Sequence, residues 1–220
     1  MAVRPASDAP FERVSDFGVA IREIDCAQNH CVILYKLDGR GPRFCHFANH
    51  HDLRDEIAHD PYLWADAGLD PINRRFVAAW VGNLDMNKDN IPYGLDSAGC
   101  CFDVGTGEFI PAPIGKGLTC STFITSVLRS LGFDVLKEDE WPERPDDVAF
   151  GQRIVDMLCA VHANGDHIQA VRADIGARRF RPEEVVGAIT LSTWPVAFAE
   201  ARAIAAAVII DLKAARSAAS

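Results

Sequence analysis

The chain has 220 residues, of which 49% are hydrophobic, so it is long enough to bury the core of one domain with elaborations. Its formal net charge of −9 argues against nucleic acid or an anionic membrane surface as a main partner. Seven cysteines is an odd number, and a chain of this length does not need disulfide bonds to fold. Reduced thiols and a cytoplasmic location are therefore expected.

The amino terminus and the apolar runs add two further expectations. Residues 1–13 lack the apolar segment of a secretory signal and are interpreted as a loose N-terminal tail. The longest apolar run, Ala203 to Ile210, is too short to cross a bilayer, so no membrane span is predicted.

Three strands are predicted at the start of a core that extends over residues 14–136. Phe17 to Ile24 and His30 to Leu37 are rich in β-branched and aromatic residues, with a turn over Cys26 to Asn29 between them. The turn residues Asp38 to Pro42 then lead into a third strand, Arg43 to Ala48. The last two strands form an antiparallel hairpin with a loop of about five residues.

The middle of the chain is predicted to hold an insertion and a second hairpin. The insertion lies around residues 52–75, and Asp52 to Ala67 within it is predicted to be helical in part. Phe76 to Leu84 is predicted as a strand, and the polar loop Asp85 to Asn90 follows it. Cys100 to Val104 and Glu108 to Pro111 are predicted to form the second hairpin around two glycines.

A short amphipathic helix is predicted between Gly117 and Gly132. Its apolar side chains recur at helical spacing, Thr119 suits the N-cap, and Gly132 suits the left-handed stop. Cys120 then lies in the first turn, beside free backbone N–H groups and the positive end of the helix dipole. A thiolate is favoured at such a position, which makes Cys120 a candidate nucleophile.

Residues 146–220 are predicted to form a helical C-terminal elaboration packed on the core. Four helices are expected there, over Val148–His162, Asp166–Asp174, Pro182–Leu191 and Pro195–Arg216. The last of them is amphipathic, so it packs either on the body of the protein or on a second subunit, and a homodimer is conceivable. The predicted fold class is therefore α+β, with an antiparallel sheet, a helix bearing the nucleophile packed on it, and these added helices.

A nucleophilic cysteine needs a base, and the first hairpin offers histidines for that role. His30 and His46 are both even-numbered residues of paired strands, so strand alternation places them on one face. The simplest register, however, puts His50 opposite His30 and leaves His46 four residues further along. A bulge or a shifted register would be needed to bring His46 alongside His30, so either His46 or His50 could orient the base.

These segments resemble the circularly permuted branch of the NlpC-type papain-like superfamily, to which the lecithin:retinol acyltransferase-like proteins belong. The resemblance rests on three stretches, Asn29 to Tyr35, Phe44 to Phe47 and Leu118 to Ile124. It implies a permuted papain-like fold in which His30 is the base, His46 the orienting residue and Cys120 the nucleophile. The segment from Ile91 to Asp96 is similar to one that precedes the nucleophile in some members, which implies that Tyr93 lines the oxyanion site.

The resemblance implies a cysteine hydrolase of the peptidase or amidase type, which cleaves an amide or ester bond through a thioester acyl-enzyme on Cys120. An acyltransferase acting at the same site is an alternative and would need a deep apolar tunnel. A non-catalytic binding or scaffold protein with an inert Cys120 is a second alternative. No cofactor is expected. The Cys and His residues of the first hairpin do not suggest a metal site, because neighbouring strand residues point to opposite faces.

Overall fold

The computed structural model describes residues 1–25, 28–84, 86 and 91–218. Cys26 and Ala27 of the predicted turn, and Asp85 with residues 87–90 of the predicted polar loop, lie outside the described residues. The described part of the chain is α+β and contains six α-helices and an antiparallel sheet, as the sequence predicts.

Six strands form the main sheet, in the spatial order β1-β6-β2-β3-β4-β5, and every pairing in it is antiparallel. Their bounds are β1 Arg4–Pro5, β2 Phe17–Asp25, β3 Gln28–Tyr35, β4 Arg43–Asn49, β5 Asp52–Ile57 and β6 Leu63–Asp66. Two short strands, β7 (Cys101–Phe102) and β8 (Phe109–Ile110), form the predicted second hairpin. The order places β3, which carries His30, near the middle of the sheet.

The two faces of the sheet bury different sets of side chains. Odd-numbered residues of β3, such as Cys31 and Ile33, belong to the large core that the sheet shares with the helices. Even-numbered residues, such as Val32 and Leu34, belong to a smaller core closed by Tyr62 and Trp64. β3 is therefore apolar on both faces, as a central strand covered on both sides must be.

Six helices complete the fold. They are α1 Pro71–Val81, α2 Cys120–Ser130, α3 Val148–Ala160, α4 Gly165–Ala173, α5 Pro182–Ile189 and α6 Phe198–Ala218. The helix predicted around Cys120 is confirmed as α2, and the four predicted C-terminal helices correspond to α3 through α6. None of the helices in the described residues combines the length and apolar character that a bilayer crossing requires.

Two predicted elements are wrong. The segment Asp52 to Ala67 contains strands β5 and β6 and no helix, because pairing with β4 and β2 overrides the local preference of its charged residues. Phe76 to Leu84 is not a strand. Most of it belongs to α1, whose start is fixed by Asp70, since the Asp70 carboxylate accepts hydrogen bonds from the backbone N–H groups of Ile72 and Asn73.

The first thirteen residues are also more ordered than a loose tail. Arg4 and Pro5 pair with β6, and Val3 is 1% exposed in the large core. The Asp211 carboxylate of α6 accepts hydrogen bonds from the backbone N–H groups of Ala2 and Val3. The amino terminus is thus bound to both the sheet and the last helix.

Helix α5 joins the C-terminal helices to the core, and a buried carboxylate joins α3 to the segment before α5. Helix α5 packs against β2 and β3 on one side and against α6 on the other. Asp147, at the start of α3, is 3% exposed and lies between the guanidinium groups of Arg144, Arg179 and Arg181. Buried carboxylates are stable only when paired in this way, so these contacts fix α3 against the segment that leads into α5.

Candidate active site

The first turn of α2 is held by a reciprocal pair of threonine hydrogen bonds. The Thr119 hydroxyl accepts from the Thr122 backbone N–H at 3.2 Å, and the Thr122 hydroxyl accepts from the Thr119 backbone N–H at 2.7 Å. This capping box satisfies two of the backbone donors at the helix start. Cys120 is the first residue of the helix and is 6% exposed, as expected from the predicted position in the first turn.

Strands β3 and β4 separate next to this helix start. Their pairs join Ile33, Leu34 and Tyr35 of β3 to residues 45, 44 and 43 of β4. Toward its amino end, β3 instead stays paired with β2. The first turn of α2 lies at this separation, because its Ser121 hydroxyl lies 3.7 Å from the Cys31 sulfur.

His30 and His46 meet across this separation. Nε2 of His30 lies 2.9 Å from Nδ1 of His46, and both side chains are buried. The pairing of Ile33 with Cys45 extrapolates to His46 opposite Val32, two residues from His30. The observed register therefore differs by two residues from the simplest one. An even shift leaves both histidines on the same face, as predicted, and it brings His46, not His50, next to His30.

Glu56 of β5 extends the pair into a chain of three side chains, His30, His46 and Glu56. Nε2 of His46 lies 3.2 Å from a carboxylate oxygen of Glu56. Burial opposes ionisation of Glu56, but hydrogen bonds from His59 and His46 outweigh it and lower the pKa of the carboxyl. Burial, together with the neighbouring His30, lowers the pKa of His46 to about 4, so His46 is neutral at physiological pH.

These protonation states define one set of tautomers for the His30–His46–Glu56 chain. The Glu56 carboxylate can only accept, so the single proton of neutral His46 lies on Nε2. Nδ1 of His46 then accepts a hydrogen bond from Nε2 of His30. Nδ1 of His30 is the remaining nitrogen, and its lone pair is not used within the His30–His46–Glu56 chain. A base whose free nitrogen is fixed in this way can accept a proton from a neighbouring thiol.

Cys120 is that neighbouring thiol, and its surroundings favour the thiolate. A hydrogen bond from Cys31 is the largest influence and lowers the pKa of Cys120 well below its usual value. Burial opposes this shift, while a hydrogen bond with His30 and the charge of His30 add to it. The pKa of Cys31 moves the other way, raised by burial and by Cys120, so Cys31 remains a thiol and donates to the Cys120 sulfur.

Tyr93 lies beside the start of α2. It is 5% exposed and stacks on Phe47, with ring centroids 5.4 Å apart. Burial and the charge of Cys120 raise the pKa of the Tyr93 hydroxyl, and the charge of Arg179 and a hydrogen bond from the Cys120 backbone N–H partly offset this. The phenol therefore stays protonated, and its oxygen accepts from that N–H at the start of α2.

The structure therefore brings all four predicted site residues, Cys120, His30, His46 and Tyr93, into one group. Sequence reasoning missed Cys31 and Glu56. Glu56 lies in a segment predicted as helical, and Cys31 lies on the strand face opposite His30, so neither carried a signal. Within the described part of the chain, no group of three or more His, Cys, Asp or Glu side chains is arranged to hold a metal ion.

A small cavity of about 20 Å³ lies against the N-terminal turn of α2 and is lined in part by Thr119, Thr122, Phe150 and Arg179. That volume accommodates about one water molecule. Neither Cys120 nor His30 lines this cavity.

No protein-family model, no curated protein and no solved structure matches the chain.

Proposed function

We propose that the chain is a cysteine hydrolase that cleaves an amide or ester bond through a thioester acyl-enzyme on Cys120. The observation that carries the proposal is the His30–His46–Glu56 chain, which ends at a buried thiol whose pKa is lowered. A nucleophile, a base and residues that orient the base are the parts that acyl transfer requires. The order of His30 before Cys120 supports a permuted papain-like core.

Acylation begins with the Cys120 thiolate, which attacks the carbonyl carbon of the substrate. The carbonyl oxygen becomes an oxyanion and accepts from the Cys120 backbone N–H and the Tyr93 hydroxyl. The bond to the leaving amine or alcohol then breaks, and protonated His30 donates its proton to that leaving group. Cys120 is left as a thioester.

Deacylation uses the same residues in reverse. His30 removes a proton from a water molecule, and the resulting hydroxide attacks the thioester carbonyl. The carbon–sulfur bond breaks, the acid product leaves, and Cys120 returns to the thiolate. His46 stays neutral and keeps His30 in the required tautomer throughout both steps.

One feature favours catalysis over a non-catalytic scaffold. A scaffold protein has no need of a thiol with a lowered pKa, because an inert buried cysteine in apolar surroundings has a raised one. Cys45 of β4 has such a raised pKa, caused by burial.

The proposal can be tested by comparing the buried Cys120 with the exposed Cys159. At about pH 6 an unactivated thiol is almost fully protonated, so a limiting amount of iodoacetamide should label Cys120 before Cys159. The labelled residue is identified by peptide mass spectrometry. The Cys159→Ala variant should keep the rapid labelling and the Cys120→Ala variant should lose it.

The same proteins are then treated with p-nitrophenyl acetate. A burst of p-nitrophenol with an acetyl group on Cys120 is expected, followed by slow turnover that disappears in His30→Ala. Preferential labelling of Cys159, or acetylation that persists in folded Cys120→Ala, would refute the proposal.

A further inference from the structure

Tyr93 is held through its backbone by two further histidines, His50 and His167, which we call the histidine clamp. The Tyr93 backbone N–H donates to Nδ1 of His50 at 3.1 Å, and the Tyr93 carbonyl oxygen lies 2.8 Å from Nε2 of His167. The two imidazole rings lie next to each other, with centroids 5.4 Å apart. One residue thus has both of its backbone polar groups bonded to imidazoles.

His167 also holds the turn at Gly115, five residues before Cys120. Its Nδ1 accepts from the Gly115 backbone N–H at 3.2 Å, so its Nε2 carries the proton and donates to the Tyr93 carbonyl. The side chain is 8% exposed, and the Asn164 cap at the start of α4 fixes the helix that carries it. A neutral ring in a single tautomer therefore connects Tyr93 to the Gly115 turn.

The segment around Tyr93 is in turn bonded to the residues just before Cys120. The Leu118 backbone N–H donates to the Pro92 carbonyl at 2.9 Å, and the Gly94 N–H donates to the Leu118 carbonyl at 3.3 Å. Gly117 has no room for a side chain, since a Cβ there would lie 2.5 Å from the Pro92 carbonyl oxygen. The distance between the Tyr93 hydroxyl and the start of α2 therefore depends on how this segment is held.

We propose that His50 and His167 are positioning residues that hold Tyr93 as an oxyanion donor beside Cys120. This inference rests on the proposed function. It gives helix α4 of the C-terminal elaboration a role in catalysis, because the helix supplies the side chain that bonds both Tyr93 and Gly115. Neither histidine touches the reacting atoms, so their effect should be confined to steps in which an oxyanion forms.

Two reactions at the Cys120 sulfur separate positioning of Tyr93 from general damage to the site. Alkylation by iodoacetamide displaces iodide at a saturated carbon and forms no oxyanion, whereas acylation by p-nitrophenyl acetate passes through one. Loss of an oxyanion donor typically lowers acyl transfer by about 10²–10³-fold. We expect His167→Ala to lower the acylation rate by about tenfold or more and to leave the alkylation rate within about twofold of wild type.

The control variant is His167→Gln. The amide oxygen and amide nitrogen of glutamine can reproduce the acceptor and the donor of the imidazole, so this variant should recover most of the acylation rate. Should His167→Ala not fold, His167→Asn replaces it, because its shorter amide cannot reach both partners. Far-ultraviolet circular dichroism and thermal unfolding establish folding in each case.

A double-mutant cycle with Tyr93→Phe identifies the group through which His167 acts. Once the Tyr93 hydroxyl is removed, His167→Ala should have no further effect on acylation. Additive effects of the two substitutions, or equal losses of alkylation and acylation in His167→Ala, would overturn the inference while leaving Cys120 as the nucleophile. A wild-type protein that is not acylated on Cys120 would instead overturn the proposed function.

Discussion

Replacing Cys31 by alanine should raise the pKa of the Cys120 thiol. The hydrogen bond from Cys31 is the largest of the influences that lower the pKa of Cys120. Hydrogen bonds to charged groups contribute about 1.5–3 kcal/mol, and the lower end applies because a thiol is a weak donor. Since about 1.4 kcal/mol is a factor of ten in an equilibrium constant, Cys31→Ala should raise the pKa of Cys120 and lower the equilibrium constant for its ionisation about tenfold.

The measurement is the pH dependence of iodoacetamide alkylation at Cys120, followed by mass spectrometry of the modified peptide. The midpoint of the profile gives the pKa of the thiol, and at pH values below that midpoint the rate should fall about tenfold in Cys31→Ala. Cys31→Ser keeps a hydrogen-bond donor at the same place, so its midpoint should stay near that of wild type. Cys45→Ala removes another buried strand thiol and controls for the loss of packing.

The reasoning would be refuted by an unchanged midpoint in a folded Cys31→Ala protein. In that case His30 alone would account for the low pKa of Cys120. Equal shifts in Cys31→Ala and Cys45→Ala would also contradict it, because the effect would then reflect core packing in general.

Three further outcomes are expected. Glu56→Ala should lower the acylation rate of Cys120 several-fold without changing the fold, because His46 loses the acceptor that fixes its tautomer. The rate of p-nitrophenol release measures the acylation rate. Burial lowers the pKa of both His46 and His50 to about 4, so between pH 6.5 and 4 the native state binds fewer protons than the unfolded state. The midpoint of urea unfolding should therefore decrease as the pH falls from about 6.5 toward 4. The decrease should be smaller in His50→Gln, which lacks one of the two titrating groups. Gly68→Ala should lower the free energy of unfolding in urea by about 3 kcal/mol, because the new Cβ would lie 1.9 Å from the backbone carbonyl oxygen of Leu191. Gly41→Ala is the control and should be near neutral, because a Cβ at Gly41 would have no atom within 4 Å.

Strand alternation and helix capping were the parts of the site that the sequence could predict. Alternation keeps His30 and His46 on one face of the hairpin for any register that differs from the simplest one by an even number of residues. The register itself depends on the turn, and the turn was misjudged. The last pair joins Tyr35 to Arg43, so the loop covers residues 36–42 instead of the five turn residues from Asp38 to Pro42.

The error at β5 has a different physical cause. The segment around Asp52 contains residues with good helix propensity, and its strand character comes from pairing with β4. Only residues 50 and 51 separate the two strands, so they form a tight hairpin whose connection carries none of the glycine pairs that usually mark such a turn. Because the sequence predicts this segment to be helical in part, it does not place Glu56 beside His46, and the third member of the His30–His46–Glu56 chain is absent from the prediction.

Cys31 is absent from the prediction for the opposite reason, because strand alternation is a reliable rule that does not hold where the sheet is irregular. In a regular strand, His30 and Cys31 point to opposite faces, so a thiol on one face can meet only one of them. Both nevertheless interact with Cys120, since β3 and β4 are not paired at their level and the first turn of α2 lies at the opening. Sequence-level rules are expected to fail where a fold departs from ideal geometry to bring reactive groups together. The departure here has a chemical consequence, because it gives one sulfur an imidazole from one face of the sheet and a second thiol from the other.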